Sequence, residues 1–484
     1  MKKFKSVLSL LVVVTVLFAF ATTAFAAGEG SITVNGTTVD KTYDAYKIFD
    51  LTYSGSGSSV TASYTIDEDW VAFFNSEKGS AYIVGTDDTG ALNPIVVDGT
   101  NKYINITNDN INAFAKDALA YAATKQPDDS KTASGTSVTF GNLALGYYLI
   151  YPEGATEVSE NYASICSITS TVPNGTVNVK ATYPVIEKEV DDETVDIGQT
   201  VTYTVSGKVP DTTGFETYTY TVKDTLSAGL TFNESVANLT VAIDGTVIDN
   251  PSVVYADNGF ELSINMKNYQ DKIGADVVIT YSAVVNEDAV NGAEGNPNSA
   301  TLTYSNDPKD STSTSTTPPE IVKVYTAGIE VFKYAQEGDE KKPLENAQFI
   351  LMDNNGLYYK FTPATGTSSE LVEWVTEKDN ATVMTTDANG NVLFKGLESG
   401  AYKIVEIKAP DGYNLLTEPV EVSINHTSQN ATTYQALEIE NKTGSVLPET
   451  GGIGTQIFYV IGSMLIIGAG VLFITKKRMS SNKG

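Results

Sequence analysis

Along most of the chain, apolar and polar residues alternate in short runs. Thr200-Val201-Thr202-Tyr203-Thr204-Val205 and Ala300-Thr301-Leu302-Thr303-Tyr304 are typical, and Gly, Asn or Asp residues separate such runs. A period of two places every second side chain on one face, which is the pattern of half-buried strands joined by turns. Evenly spaced short strands predict an all-β chain of tandem immunoglobulin-like β-sandwiches. A helical period stands out over 108–124, where Ile111, Phe114, Ala115 and Leu119 share a side.

Two longer apolar runs break the alternation, one near each end. Lys2, Lys3 and Lys5 precede the run from Val7 to Phe20, which leads to Ala24-Phe25-Ala26. This is the layout of a secretory signal peptide over 1–26, cut after Ala26. Near the other end, an uncharged run from Ile457 to Ile474 is followed by Lys476-Lys477-Arg478. A run of that length can just cross a bilayer as a helix, with the basic cluster on the cytoplasmic side. Just before it stands Leu447-Pro448-Glu449-Thr450-Gly451. Pro448 keeps Leu447 out of the helical region, so the pentapeptide can be bound as a strand.

The body divides at Lys180-Ala181-Thr182-Tyr183-Pro184 and again around Asp310 to Glu320, a Ser/Thr run ending in Pro318-Pro319. The second stretch reads as a loop or linker. The expected domains are 28–182, 183–325 and 326–443, followed by a terminal segment, 447–484.

Within the second and third domains the alternation places polar residues on the apolar face. Ile186, Lys188 and Val190 share a face; so do Tyr220, Val222 and Asp224, and Asn298, Ala300, Leu302 and Tyr304. The third domain repeats this with Ile329, Val331 and Lys333, with Tyr402, Ile404 and Glu406, and with Leu437, Ile439 and Asn441. Desolvation disfavours the charged form of a buried lysine and of a buried carboxyl. A neutral amine beside an asparagine amide, with a protonated acid to polarise that amide, is set up for attack and loss of ammonia. The same parity also fits two buried salt bridges, or lysines whose amines snorkel out at strand ends.

Composition narrows the classes. Acidic residues outnumber basic ones by 59 to 31, which argues against nucleic acid and anionic membrane surfaces as partners. Cys166 is the only cysteine and His426 the only histidine, so neither a disulfide framework nor a His/Cys metal cage is expected, and no cofactor. A secreted hydrolase would need a nucleophile signature, and none is present.

The pentapeptide, apolar run and basic tail together resemble the cell-wall sorting signal of Gram-positive surface proteins, which sortases read. Gly400-Ala401-Tyr402-Lys403-Ile404-Val405-Glu406, continuing to Ala409-Pro410-Asp411-Gly412-Tyr413, resembles the E-box of collagen-adhesin B-type (CnaB) domains. The second domain, with Tyr220 to Phe232 and Asn298 to Pro308, is similar to the middle domain of sortase-assembled major (backbone) pilins. That resemblance implies Lys–Asn isopeptides between Lys333 and Asn441, with Glu406 as the acid, and between Lys188 and Asn298, with Asp224. It implies sortase cleavage between Thr450 and Gly451 and transfer to a lysine of the next subunit. The family carries that lysine in a Tyr-Pro-Lys element, but here Tyr183-Pro184 is followed by Val185. Parity turns Lys188 inward and Lys180 outward, so Lys180 is the expected acceptor. In the first domain Pro152 stands where an E-box carboxylate belongs and Asn178 has the outward parity, so no isopeptide is expected there. Lys47 is the one lysine of that domain to check.

The expected role is a structural one, at the cell surface, in a wall-anchored pilus. Its implied partners are a class C-type pilin sortase, a housekeeping sortase, further copies of the chain, accessory pilins and peptidoglycan. The rival reading is a monomeric wall-anchored adhesin or an accessory pilin that binds host ligands.

Overall fold

The computed structural model describes residues 29–54, 61–84, 94–97, 100–107, 109–123, 125–155, 164–168, 172–232, 239–249, 251–256, 258–366, 369–444 and 453–480. The expected signal peptide and the pentapeptide 447–451 lie outside them. The fold is all-β, as the alternation predicts, and it divides into two compact units. One comprises residues 1–326 with 363–371, and the other 327–362 with 372–484.

The first unit contains two sandwiches. In the first of them, a sheet ordered Asn174–Asn178, Glu29–Asn35 and Ser137–Ala144 faces a sheet built around Gly146–Pro152 and Thr42–Ser54. Ile32, Val34, Tyr43, Phe140, Tyr148, Ile150, Val177 and Val179 fill the space between the two. The helix expected over 108–124 is present as Ile111–Ala122, and it buries Phe114, Ala115 and Leu119 against Trp70, Phe73 and Phe74.

The second sandwich packs two larger sheets. One runs Glu187–Val190, Thr200–Lys208, Asp276–Val285, Thr240–Ile243, Thr246–Val247; the other runs Ser252–Tyr255, Gly259–Ser263, Tyr220–Leu226, Asn296–Asp307, Asp310–Thr316. One expectation is corrected here. Asp310–Thr316 is a strand rather than a linker, paired antiparallel to Asn296–Asp307 from Asp307↔Asp310 to Thr303↔Thr316. An edge strand with little burial has no need of apolar residues, so its Ser/Thr pattern resembled that of a loop.

In the second unit, strand Ala327–Glu337 is central to its sheet. It pairs antiparallel with Asn391–Leu397 and parallel with Gln435–Glu440. The facing sheet has Gln348–Asp353, Gly400–Lys408 and Val420–Ile424 in succession. Helix Ile453–Ser480 covers the C-terminal apolar run. Among the described residues, no helix is long and apolar enough to cross a membrane.

Candidate functional sites: two buried lysine–acid–asparagine clusters

Strand parity, chosen locally by sequence, decides which side chains enter each sandwich. In the second sandwich, Tyr220, Val222 and Asp224 are buried on one strand, and Asn298, Ala300, Leu302 and Tyr304 on its antiparallel neighbour. The register pairs Asp224 with Ala300 and Leu226 with Asn298, so the acid and the amide are diagonal neighbours on one face. Lys188 comes from the opposing sheet, where strand Glu187–Val190 pairs with Thr200–Lys208. Its side chain and that of Asp224 are both fully buried, and the amine forms an ion pair with Asp224 Oδ2.

Tyr281 completes this cluster. Its hydroxyl accepts from Lys188 Nζ at 2.6 Å and from Asn298 Nδ2 at 2.9 Å, so one oxygen bridges amine and amide. The Tyr203 ring stacks on Tyr281, and Lys188 Nζ lies 5.2 Å and 5.3 Å from the centres of these two rings. Burial pushes the Lys188 amine down despite the pull of Asp224, and burial pushes the Asp224 carboxyl up despite the pull of Lys188. Both directions favour the pair with the proton on the acid. Asp224 Oδ1 and Asn298 Oδ1 are buried without a hydrogen-bond partner among the described residues.

The third-domain cluster has the same parts in another arrangement. Lys333 lies on Ala327–Glu337, and Asn441 directly follows its parallel neighbour Gln435–Glu440, with the Asn441 N–H donating to the Tyr334 carbonyl at 2.9 Å. Glu406 projects from the facing sheet. Lys333 Nζ is 3.2 Å from Glu406 Oε1, both side chains being fully buried. Asn441 Nδ2 donates to Glu406 Oε2 at 3.2 Å and to the Asn414 carbonyl, while the Leu416 N–H donates to Glu406 Oε2 at 2.9 Å. The Phe349 ring lies 5.6 Å from the amine, and burial pushes the Lys333 amine down despite Glu406. Asn441 Oδ1, like Asn298 Oδ1, lacks a hydrogen-bond donor among the described residues.

The six residues singled out by parity thus fall into two groups of three. Tyr281, Tyr203 and the Asn414 carbonyl were not foreseen. Tyr281 does share its inward parity with Ile279 and Ala283, but only the pairing of distant strands sets it between Lys188 and Asn298.

The other candidates lie elsewhere. Lys180 is exposed beyond the buried Val177 and Val179, and the Val179 N–H donates to the Asn35 carbonyl at 3.0 Å. In the first sandwich Lys47 pairs with Asp50 at 2.8 Å and Asp67 at 3.4 Å. Asn178 is exposed and accepts from Asn35 Nδ2 at 3.2 Å.

Parts of the chain match known protein families. Residues 329–442 match the prealbumin-like fold domain, and residues 439–481 match the LPXTG cell wall anchor motif. The trypsin-resistant surface T6 protein of Streptococcus pyogenes serotype M6 is 31% identical over 345 residues, which are 65% of this chain and 56% of that protein. The fimbrial subunit type 1 of Actinomyces viscosus is 32% identical over 80 residues, 16% of this chain and 15% of that one. The chain therefore spans little more than half the length of the first relative and a small part of the second. Among solved structures, the three-domain T6 backbone pilin of serotype M6 Streptococcus pyogenes shares the fold with a TM-score of 0.53 at 22% identity, over 82% of this chain and 80% of that one.

Proposed function

We propose that this chain is the backbone subunit of a covalent cell-surface pilus, joined head to tail by a sortase and stiffened by two internal Lys–Asn isopeptide bonds. The match to a cell wall anchor and the likeness to surface and fimbrial proteins support the assembly. The observation that carries the internal chemistry is the pair of clusters, each sealing an amine, a carboxyl and an asparagine amide away from water.

In each cluster the ammonium first hands a proton to the acid, which leaves a neutral amine and a carboxylic acid. The Lys Nζ lone pair attacks the Asn Cγ while the acid donates to the amide oxygen, the atom left without a donor in both sites. The acid relays protons from Nζ to Nδ2, the tetrahedral adduct collapses as the C–Nδ2 bond breaks, ammonia departs, and the carboxyl is left holding the proton it first took from the ammonium. In the third domain Glu406 Oε2 already contacts the leaving nitrogen. In the second, Tyr281 holds the amine against the amide. Each reaction happens once, so the product is a structural protein and not a turnover enzyme.

Between subunits, a sortase cysteine would cleave after Thr450 and hold its acyl group as a thioester. The Lys180 amine of another copy would attack that carbonyl, form an amide and release the thiol. A pilin-class (class C) sortase would build the shaft, and a housekeeping sortase would pass its base to peptidoglycan. Accessory pilins would join through the same chemistry. The segment that matches the cell wall anchor would hold the precursor at the cell surface until cleavage.

Two measurements test this. The intact mass of the folded ectodomain should fall short of the sequence mass by one ammonia per bond, and an uncorrected mass would remove both bonds. Wall extracts should contain a ladder of covalent multimers. A single monomeric species would instead favour a wall-anchored adhesin or accessory pilin.

A further inference from the structure

Within the first unit, two lysines cross the boundary between the sandwiches in opposite directions. Lys41 reaches from the first sandwich to the second. Its Nζ donates to Tyr304 Oη at 2.8 Å and lies 4.8 Å from the centre of the Tyr183 ring and 5.2 Å from that of Tyr304. Lys309, in the turn between Asn296–Asp307 and Asp310–Thr316, reaches the other way. Its Nζ pairs with Asp44, with Glu153 at 3.3 Å and with Asp307 at 3.8 Å, and it donates to Tyr46 Oη at 3.2 Å.

This is a built contact, for the Lys309 and Asp44 side chains are only 12% and 1% exposed. Charges so enclosed escape most of the screening that weakens surface pairs. The backbones also meet closely here. A Cβ on Gly154, whose φ is +70°, would fall 3.2 Å from both the Cα and the carbonyl oxygen of Asn306. Farther along the boundary, Lys116 pairs with Asp211 at 3.1 Å.

The segment that carries Lys180 joins these two sandwiches. It is tied at one end by the Val179–Asn35 bond, and at the other by Tyr183, which sits against Lys41 and donates to Tyr43 Oη at 3.5 Å. We propose that Lys41 and Lys309 are positioning residues, which lock the two sandwiches into one body and hold residues 180–183 so that the Lys180 amine meets the acyl-enzyme in a fixed place. The link to polymerisation rests on Lys180 being the acceptor; the lock itself does not.

The lock also has a pH sense. Glu153 faces Asp44, Asp307 and Lys309, with Tyr46 bonded to Asp44 beside them. Burial first, then Asp44 and Asp307, push the Glu153 carboxyl up to about 7. A carboxyl raised in the closed form favours closure while it is protonated and loses that contribution as pH rises through its raised value.

The test uses the mature chain, residues 27–450, with its mass checked for the internal bonds. Amide exchange over 180–183 should rise about tenfold in Lys41→Met and in Lys309→Met, with Lys309→Arg restoring much of the protection. Wild-type protection should be greater at about pH 6 than at about pH 8, and Glu153→Gln should flatten that difference. Sortase-driven multimer yield, measured on a chain that keeps Gly451 and the segment after it so that cleavage can occur, should fall several-fold in both methionine variants. Unchanged exchange in a correctly cross-linked Lys309→Met chain would overturn the lock, and raised exchange with undiminished multimers would overturn the positioning role. Lys180→Arg separates the two readings. Multimers that persist there would discard the acceptor, whereas the exchange result would still judge the lock.

Discussion

The two buried clusters use the same three functional groups but divide them differently between sheets. In the second sandwich, acid and asparagine are neighbours on one sheet and the lysine crosses from the other. In the third domain, lysine and asparagine lie on neighbouring parallel strands and the acid crosses. Their surroundings differ too. Tyr281 and Tyr203 give the first cluster a polar aromatic wall, while the second relies on the Phe349 ring and the Asn414 carbonyl. The chemistry therefore requires the three groups to meet in a dry interior and is indifferent to which layer supplies each. In both, the lysine lies near the start of its domain and the asparagine near the end, so either bond would tie an opening strand to a closing one.

Removing either bond should have the largest effect and should show whether the clusters are equivalent. Each bond would close a loop of roughly 110 residues, so Asn298→Ala or Asn441→Ala should cost about 4–5 kcal/mol by chain entropy. Each variant should gain back the mass of one ammonia, and thermal unfolding would compare the two sites. A variant that keeps its mass deficit would show that the bond in question had been misassigned. Asp224→Ala and Glu406→Ala should remove the same bonds by blocking their formation, each at its own site alone, and in addition leave a buried amine without its partner at a cost of about 3–5 kcal/mol. Loss of both bonds from one substitution would mean that the clusters do not act separately.

Tyr281→Phe should separate the clusters kinetically. It removes the bridge between amine and amide at a cost of about 1–3 kcal/mol, slowing the second-domain bond and leaving the third-domain bond untouched in a refolding time course. The pH dependence of that time course follows from the opposite shifts of Lys188 and Asp224. The pair holds one shared proton, and moving that proton from amine to acid leaves the count unchanged. The second-domain rate should therefore be flat across neutral pH, falling in acid when the pair takes a second proton and in alkali when it loses its last. A steep change near neutrality would mean that another group controls the step. The smallest effect on the fold belongs to Lys180→Ala. This exposed residue should shift stability by no more than about 0.5 kcal/mol and leave both internal masses unchanged, while the multimer ladder disappears.

The alternation of side chains by itself determined much of this protein. Strand parity is a local property, since each residue's face follows from its neighbour's. The burial of Lys188, Asp224, Asn298, Lys333, Glu406 and Asn441 was therefore readable from short runs, as was the helix at Ile111–Ala122. Where burial is slight the same logic loses its grip, and the Ser/Thr pattern of the exposed edge strand Asp310–Thr316 reads as a loop or linker. Only the tertiary structure decided which sheet each buried group comes from, that Tyr281 stands between Lys188 and Asn298, and that Lys309 ends among Asp44, Glu153 and Tyr46. Those facts depend on pairing between strands tens to hundreds of residues apart. Register and packing fix that pairing for the whole domain at once, and no single run of sequence carries it.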